Sequence, residues 1–214
     1  VQDLGFSRGS EIMFQRPGSK PKRPLPVESS PAPRGRALSD GDAFPDPPAP
    51  FYNPRAALPL AKQRALLPIA KSRLQILYAL ENHQTLLLVG QTGSGKTTQL
   101  PQFLLEANWC PAPKLIIISL PRRAAVIAAA TRVSHELGEA SVGGTVGYAV
   151  RFEERRGPST RILFVTDGAL VRMMMGDPLL GRAAVVVVDE AHERTVATEL
   201  GLGLLRKVGR RRAE

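Results

Sequence analysis

Eight consecutive residues, Gly90-Gln91-Thr92-Gly93-Ser94-Gly95-Lys96-Thr97, fit the spacing G-x-x-x-x-G-K-[ST] at every fixed position. Those residue types suit the cradling of a polyphosphate. Glycines let consecutive backbone N–H groups turn inward toward phosphate oxygens, and a helix starting at Lys96 or Thr97 adds the partial positive charge of its N-terminus. In such a loop Lys96 reaches the β- and γ-phosphates of a nucleotide, and the Thr97 hydroxyl ligates Mg²⁺. Thr98 follows in the same helical turn. The competing reading is a chance glycine-rich turn; an apolar run just before the loop and a helical pattern just after it favour the phosphate loop.

Ninety-three residues beyond Lys96, an apolar run at 184–188 ends in Asp189-Glu190-Ala191-His192. A carboxylate at the carboxyl end of a buried strand is where phosphate-loop enzymes hold the second protein ligand to Mg²⁺. Asp189 takes that place. Glu190 then faces the γ-phosphate and can orient or deprotonate an attacking water. Alone, the pair reads better as an acidic cap on the following helix; together with the phosphate loop it reads as catalytic. His192-Glu193 begins an H-E-x-x-H zinc pattern, but Val196 stands where the second histidine belongs, so no zinc is expected.

These residues need a scaffold that brings them together, and the apolar pattern supplies one. Leu74, Ile76, Leu77 and Leu80 repeat at helical spacing up to Asn82-His83, and 85–89 then reads as a short, fully buried strand. Runs at 115–119, 162–166 and 184–188 look alike, and a further short strand is expected at 145–150. Between them lie helical stretches at 97–106, at 124–137 closed by Gly138 at a C′ position, and at 169–175, with a last helix near 200–207. Apolar strands alternating with helices predict an α/β fold, a mostly parallel sheet with helices on both faces.

Composition bounds the rest. The 214 residues carry 29 Lys+Arg against 19 Asp+Glu, a net +10, with 43% hydrophobic residues and a mean hydropathy of −0.09. That length suits one domain plus a tail, or two small domains. No apolar run approaches the ~20 residues of a membrane span, and no basic segment precedes an apolar one as in a secretory signal. A single cysteine, Cys110, excludes an internal disulfide and a cysteine-rich zinc site, and points to a reducing compartment. Ten of the 19 prolines fall in residues 1–50, which show no apolar periodicity and are expected to be a disordered tail. Within it, Lys20-Pro21-Lys22-Arg23-Pro24 reads as a solvated charge run or, alternatively, a nuclear-import signal. Nearly all the excess charge, +9, lies in residues 51–214, which suggests an anionic partner.

In chain order, GQTGSGKTTQ, PRRAA at 121–125, TDGAL at 166–170 and DEAHERT at 189–195 resemble the first RecA-like domain of DEAH-box RNA helicases. The resemblance runs from about Phe51 to Glu214, and FYNPRAALPLAKQRALLPI is similar to the lead-in of one branch of that family. It implies ATP and Mg²⁺ as cofactors. The loop Gly90 to Thr98 matches the ATP-binding motif, with Lys96 on the phosphates and Thr97 and Asp189 on the metal. Glu190 matches the water-activating base, and His192 the residue coupling the nucleotide site to a second domain. Arg132, in ATRV, matches an arginine that stacks on adenine. Arg122, Arg123, Arg151 and Thr166 match positions that grip the phosphates and sugars of single-stranded RNA, chemistry that guanidinium forks and a hydroxyl suit. Spliceosomal or other ribonucleoprotein partners and a nuclear site, with the cytoplasm as alternative, follow from the same resemblance.

Ser119-Leu120 replaces the family's usual Thr-Gln, which weakens the expectation of RNA contact there. Gln91 stands where Glu is frequent, at a position phosphate contact does not need. Met13-Phe14-Gln15-Arg16-Pro17-Gly18 is similar to the start of the same branch, which places the initiator at Met13 and residues 1–12 upstream of it. The chain stops at Glu214, ahead of the family's Ser-Ala-Thr motif, so the second RecA-like domain and its arginine fingers are expected to be missing. Such fingers are worth ~10³–10⁵ in rate. The resemblance therefore implies a fragment that binds nucleotide weakly and neither hydrolyses ATP fast nor unwinds duplex. The alternative reading is a truncated, inactive scaffold that binds nucleotide and RNA.

Overall fold

The computed structural model describes residues 58–213. The expectations for the proline-rich tail, for Met13 and for the basic run at 20–24 lie outside the described residues.

A short lead-in comes first: helix α1 (Leu60–Ala65), a 3-10 turn at Pro68–Ser72 and helix α2 (Arg73–Asn82). The phosphate loop follows and opens directly into α3 (Lys96–Glu106). The alternating pattern then gives β1 (Leu115–Leu120), α4 (Arg123–Glu136), β2 (Val146–Val150), β3 (Glu153–Arg155), β4 (Ile162–Thr166), α5 (Asp167–Gly176), β5 (Ala183–Val188), a 3-10 turn at Ala191–Glu193 and α6 (Val196–Ala213). The strands lie in the order β3-β2-β4-β1-β5, parallel except for the β2–β3 hairpin.

The period of two in a strand sorts the core into two layers. Ile116 and Ile118 of β1 and Ile162 and Phe164 of β4 face Leu104 of α3 and Val126, Ala130 and Val133 of α4. Their neighbours Leu115, Ile117, Leu163 and Val165 face Leu170 and Met174 of α5 and Val208 of α6. Helices therefore cover both faces, as the apolar runs require. β1 is buried along all six residues, and each of its five apolar side chains contributes about 1.5–3 kcal/mol of burial. Helix ends follow their local chemistry. Gly138 closes α4 at φ 79, with Glu139 N–H donating to Ser134 O at 3.0 Å. Thr166 caps α5 by accepting from Ala169 N–H.

Two expectations change. The expected strand at 85–89 forms no ladder, and it is not fully buried. Leu86 and Leu88 turn toward Ile69, Ile76 and Phe103, whereas Leu87 and Val89 stand 72% and 81% exposed. A buried strand needs a hydrogen-bonded neighbour and cover on both faces; this segment has cover on one, and among the described residues β5 is the last strand on that side of the sheet. The last helix is much longer than 200–207. It starts at Val196 because Thr195 caps it, the hydroxyl accepting from Thr198 N–H at 3.1 Å.

Candidate nucleotide and RNA site

Parallel strands deliver their following loops to one edge of a sheet. Arg151 follows β2, Thr166 ends β4, Arg122 follows β1 and Asp189 follows β5, so the order β2-β4-β1-β5 lines them up along the carboxyl edge. Asp189 N–H donates to Ser119 O at 2.9 Å, fastening the acidic turn to β1.

The phosphate loop takes the shape its glycines allow. Gly93 and Gly95 have φ of 79° and 95°, in the left-handed region. A Cβ on Gly95 would also meet Leu67 Cδ1 at 2.9 Å, so that side chain would have to shift in addition to the strain of the positive φ. Ile69 N–H donates to Ser94 O, which braces the loop from behind. Gln91, Thr92 and Gly93 are exposed. Lys96 Nζ folds back over the loop and donates to Gly90 O at 2.7 Å and Gln91 O at 3.0 Å. Among the described residues, Ser94 Oγ is buried with no hydrogen-bond partner, an orphan hydroxyl inside the loop. Thr98 Oγ1 accepts from Gln99 Nε2.

Thr97 and Asp189 meet directly, the hydroxyl donating to the carboxylate Oδ2. A hydroxyl and a carboxylate side by side form an oxygen donor set that suits Mg²⁺. The orphan Ser94 hydroxyl and the lysine held only by loop carbonyls suit a polyphosphate, so the residues present fit nucleotide with Mg²⁺. Glu190 follows with φ 53. Its Oε2 lies 3.3 Å from His192 Nδ1, whose ring is exposed. The turn is further held by Glu190 N–H on Asp189 Oδ1 and Glu193 N–H on Glu190 O.

The candidate RNA residues are close together but already engaged. Arg122 forms a two-pronged pair with Glu193, Nη2 to Oε1 at 3.0 Å and Nε to Oε2 at 3.4 Å. Arg123 donates to Glu153 Oε2 at 2.5 Å and to Arg151 O at 3.1 Å. Tyr148 OH also donates to Glu153, which holds that carboxyl below the usual range, and the same bond pushes the phenol up. The Arg151 guanidinium lies 4.8 Å from the centre of the Phe152 ring, which is 89% exposed. Thr166 spends its hydroxyl on the α5 cap. Ser119 and Leu120 do not face solvent: Leu120 is core, and Ser119 Oγ donates to buried Asp167, whose other oxygen accepts from Thr198.

Arg132 sits on α4, away from the strand ends, and its Nε donates to Glu136 Oε1 at 2.6 Å. Glu136 also accepts from Gln99 and Gln102 of α3, at 2.7 and 2.8 Å. Its side chain is 2% exposed. Burial raises its pKa, but the bonds from Gln102, Gln99 and Arg132 outweigh that and leave it below the ordinary value. One carboxylate thus joins Arg132 to the phosphate-loop helix. Reading the residues singly missed Glu136, Gln99 and Asp167; the i,i+4 spacing of Arg132 and Glu136 was the one local signal. It also missed Phe152, an exposed aromatic among the arginines.

Comparison with known proteins agrees with this geometry. The DEAD/DEAH box helicase profile matches residues 69–201, more than half of the chain. A human protein, "Probable ATP-dependent RNA helicase DHX35", is 48% identical over 164 residues, which are 76% of this chain and 23% of that protein. Its Caenorhabditis elegans homologue is 44% identical over 156 residues, 73% of this chain and 21% of its own. The Arabidopsis thaliana "Pre-mRNA-splicing factor ATP-dependent RNA helicase DEAH10" is 45% identical over 140 residues, 65% and 19% of the two chains. The chain spans about a fifth to a quarter of the length of these relatives. The mostly parallel sheet between two helical layers is consistent with the RecA-like α/β arrangement that such a match implies, in a family typified by ATP use. With a phosphate loop, an Asp-Glu-Ala-His turn seated against it and a family match over both, the chain belongs to the DEAD/DEAH box helicases.

Proposed function

We propose that residues 51–214 are the ATP-binding part of an ATP-dependent RNA helicase that remodels RNA or RNA–protein complexes in nuclear pre-mRNA splicing. One observation carries the reading: Thr97 of the phosphate loop and Asp189 of the acidic turn, far apart in sequence, touch at the carboxyl edge that also bears Arg122. The splicing assignment draws on the Arabidopsis relative's name, and the RNA assignment on the relatives' names and the basic edge.

Bound ATP with Mg²⁺ supplies the phosphoanhydride whose cleavage drives the cycle. Lys96 and the backbone N–H groups of Gly95, Lys96 and Thr97 at the start of α3 would hold the phosphates, with Gly90, Gln91, Thr92, Gly93 and Ser94 forming the rest of the loop. Thr97 and Asp189 hold the metal. Glu190 orients a water and takes its proton on a carboxylate oxygen. Arg132 stacks on the adenine, and His192 passes the state of the site to a second domain. Arg122, Arg123, Arg151 and Thr166 hold the backbone of a single RNA strand. A second reading is a nucleotide- and RNA-binding scaffold without turnover.

Titration calorimetry of the chain with ATP and Mg²⁺ tests the reading. Binding that Lys96→Ala weakens roughly ten- to a hundredfold is the expected result; no binding by the unaltered chain would refute the nucleotide assignment. Competition between RNA and DNA oligonucleotides tests the RNA assignment. Rapid unwinding by the 214 residues alone would overturn the division of labour proposed here.

A further inference from the structure

We propose that Glu193 couples the RNA edge to the nucleotide turn by holding Arg122 when RNA is absent. A phosphate that takes the Arg122 guanidinium displaces Glu193 and releases one tie on the turn carrying Asp189 and Glu190. The inference rests on the assignment of Arg122 to RNA made above.

The geometry is an exchange waiting for a second anion. Arg122 offers a two-pronged pair to Glu193 at 3.0 and 3.4 Å while its side chain stays 74% exposed. A phosphate presents the same forked oxygens to a guanidinium as a carboxylate does. An exposed ion pair is worth no more than about fivefold in an equilibrium, so Glu193 competes but does not block. Both anions close to one guanidinium repel each other, which favours exchange over addition.

Glu193 is the residue at which that exchange reaches the nucleotide site. It ends the 3-10 turn Ala191–Glu193, and the residues on either side, Glu190 and Arg194, have φ of 53° and 50°. Residues with a Cβ keep such conformations only where surrounding contacts over-determine them. Asp189 Oδ1 and Glu190 O tie the turn from within, the Arg194–Glu199 pair ties it to α6, and the Arg122 fork ties it across to the end of β1. Arg123 supplies an internal control. It is held by Glu153 of β3, at the opposite end of the sheet from β5. The chemistry is the same and there is no connection to the acidic turn.

The test measures two affinities in each variant: a fluorescein-labelled twelve-nucleotide oligouridine by anisotropy, and N-methylanthraniloyl-ATP with Mg²⁺, with and without saturating oligouridine. In the unaltered chain, RNA changes nucleotide affinity at least twofold. Glu193→Gln binds RNA roughly two- to fivefold tighter and loses that change. Glu153→Gln also binds RNA tighter but keeps it. RNA affinity of Glu193→Gln equal to or weaker than that of the unaltered chain, or coupling that survives in it, overturns the proposal. Arg122→Ala separates the two levels. If it leaves RNA affinity unchanged, the RNA edge itself is wrongly placed; if it weakens RNA while Glu193→Gln does nothing, only the coupling falls.

Discussion

At the scale of single residues, the site consists of groups held in reserve. Lys96 rests its ammonium on two loop carbonyls, contacts it can give up to a phosphate without moving the backbone. A hydrogen bond to a charged group is worth about 1.5–3 kcal/mol, so Lys96→Ala should weaken ATP·Mg²⁺ binding by roughly ten- to a hundredfold in a calorimetric titration. Glu190→Gln keeps the volume and removes the base. Nucleotide affinity should stay within about twofold, while turnover in a protein containing both RecA-like domains should fall by ~10² or more. Undiminished turnover would remove Glu190 from its assigned role. Ser119 needs a different argument, since its hydroxyl is buried on Asp167 and never reaches the edge. Ser119→Ala leaves a buried carboxylate oxygen short of a donor and should cost about 1–3 kcal/mol in a denaturant melt. RNA affinity should not change.

At the scale of elements, the phosphate-loop helix α3 is fixed to α4 through Glu136, with Arg64 of α1 reaching Gln99 and Glu106. Removing a buried charge partner strands its donors, so Glu136→Ala should destabilise the domain by about 3 kcal/mol. Arg132 would lose its anchor at the same time, and nucleotide affinity should drop with it. The network also sets an acid limb. The folded pKa of Glu136 lies below the unfolded value, so its contribution is present above about pH 4.3 and is lost as pH falls through the lowered value. Glu139 behaves alike: burial raises its pKa, but bonds from the Thr145 and Val146 N–H groups and the Ser134 hydroxyl outweigh that. A plot of melting temperature against pH should therefore fall below about pH 4.3, and less steeply in Glu136→Gln. An unchanged slope would show that Glu136 does not control acid stability.

At the scale of the whole molecule, strand order decides which loops become neighbours. The basic loops after β2 and β1 and the end of β4 line one stretch of the carboxyl edge, and the acidic turn after β5 lies next to β1. The proposed RNA grip at such an edge would be electrostatic. Three arginine–phosphate contacts predict a slope of about −2 in log K against log salt for a single strand. Each of Arg122→Ala, Arg123→Ala and Arg151→Ala should make it shallower by about 0.7. A slope near zero in the unaltered chain would mean that binding does not run through these guanidinium groups. Phe152, exposed beside Arg151, adds a stacking surface that the low aromatic content did not suggest.

Much of this was readable in order along the chain. Apolar runs of four to six residues between helical patterns point to a parallel sheet under two helical layers, because strands buried on both faces read as continuous apolar runs. The glycine–lysine–threonine spacing and the carboxylate pair are local chemistry, and local spacing specifies them. What the sequence could not supply is adjacency. That Thr97 meets Asp189, that Glu136 joins α3 to α4, and that Glu193 lies under Arg122 depend on strand order and register, set by the packing of the whole core. The segment at 85–89 shows the same limit from the other side. Its apolar run is as good as that of β1, but a strand is a pairing and not a property of one segment, and of these two only β1 is paired, with β4 on one edge and β5 on the other.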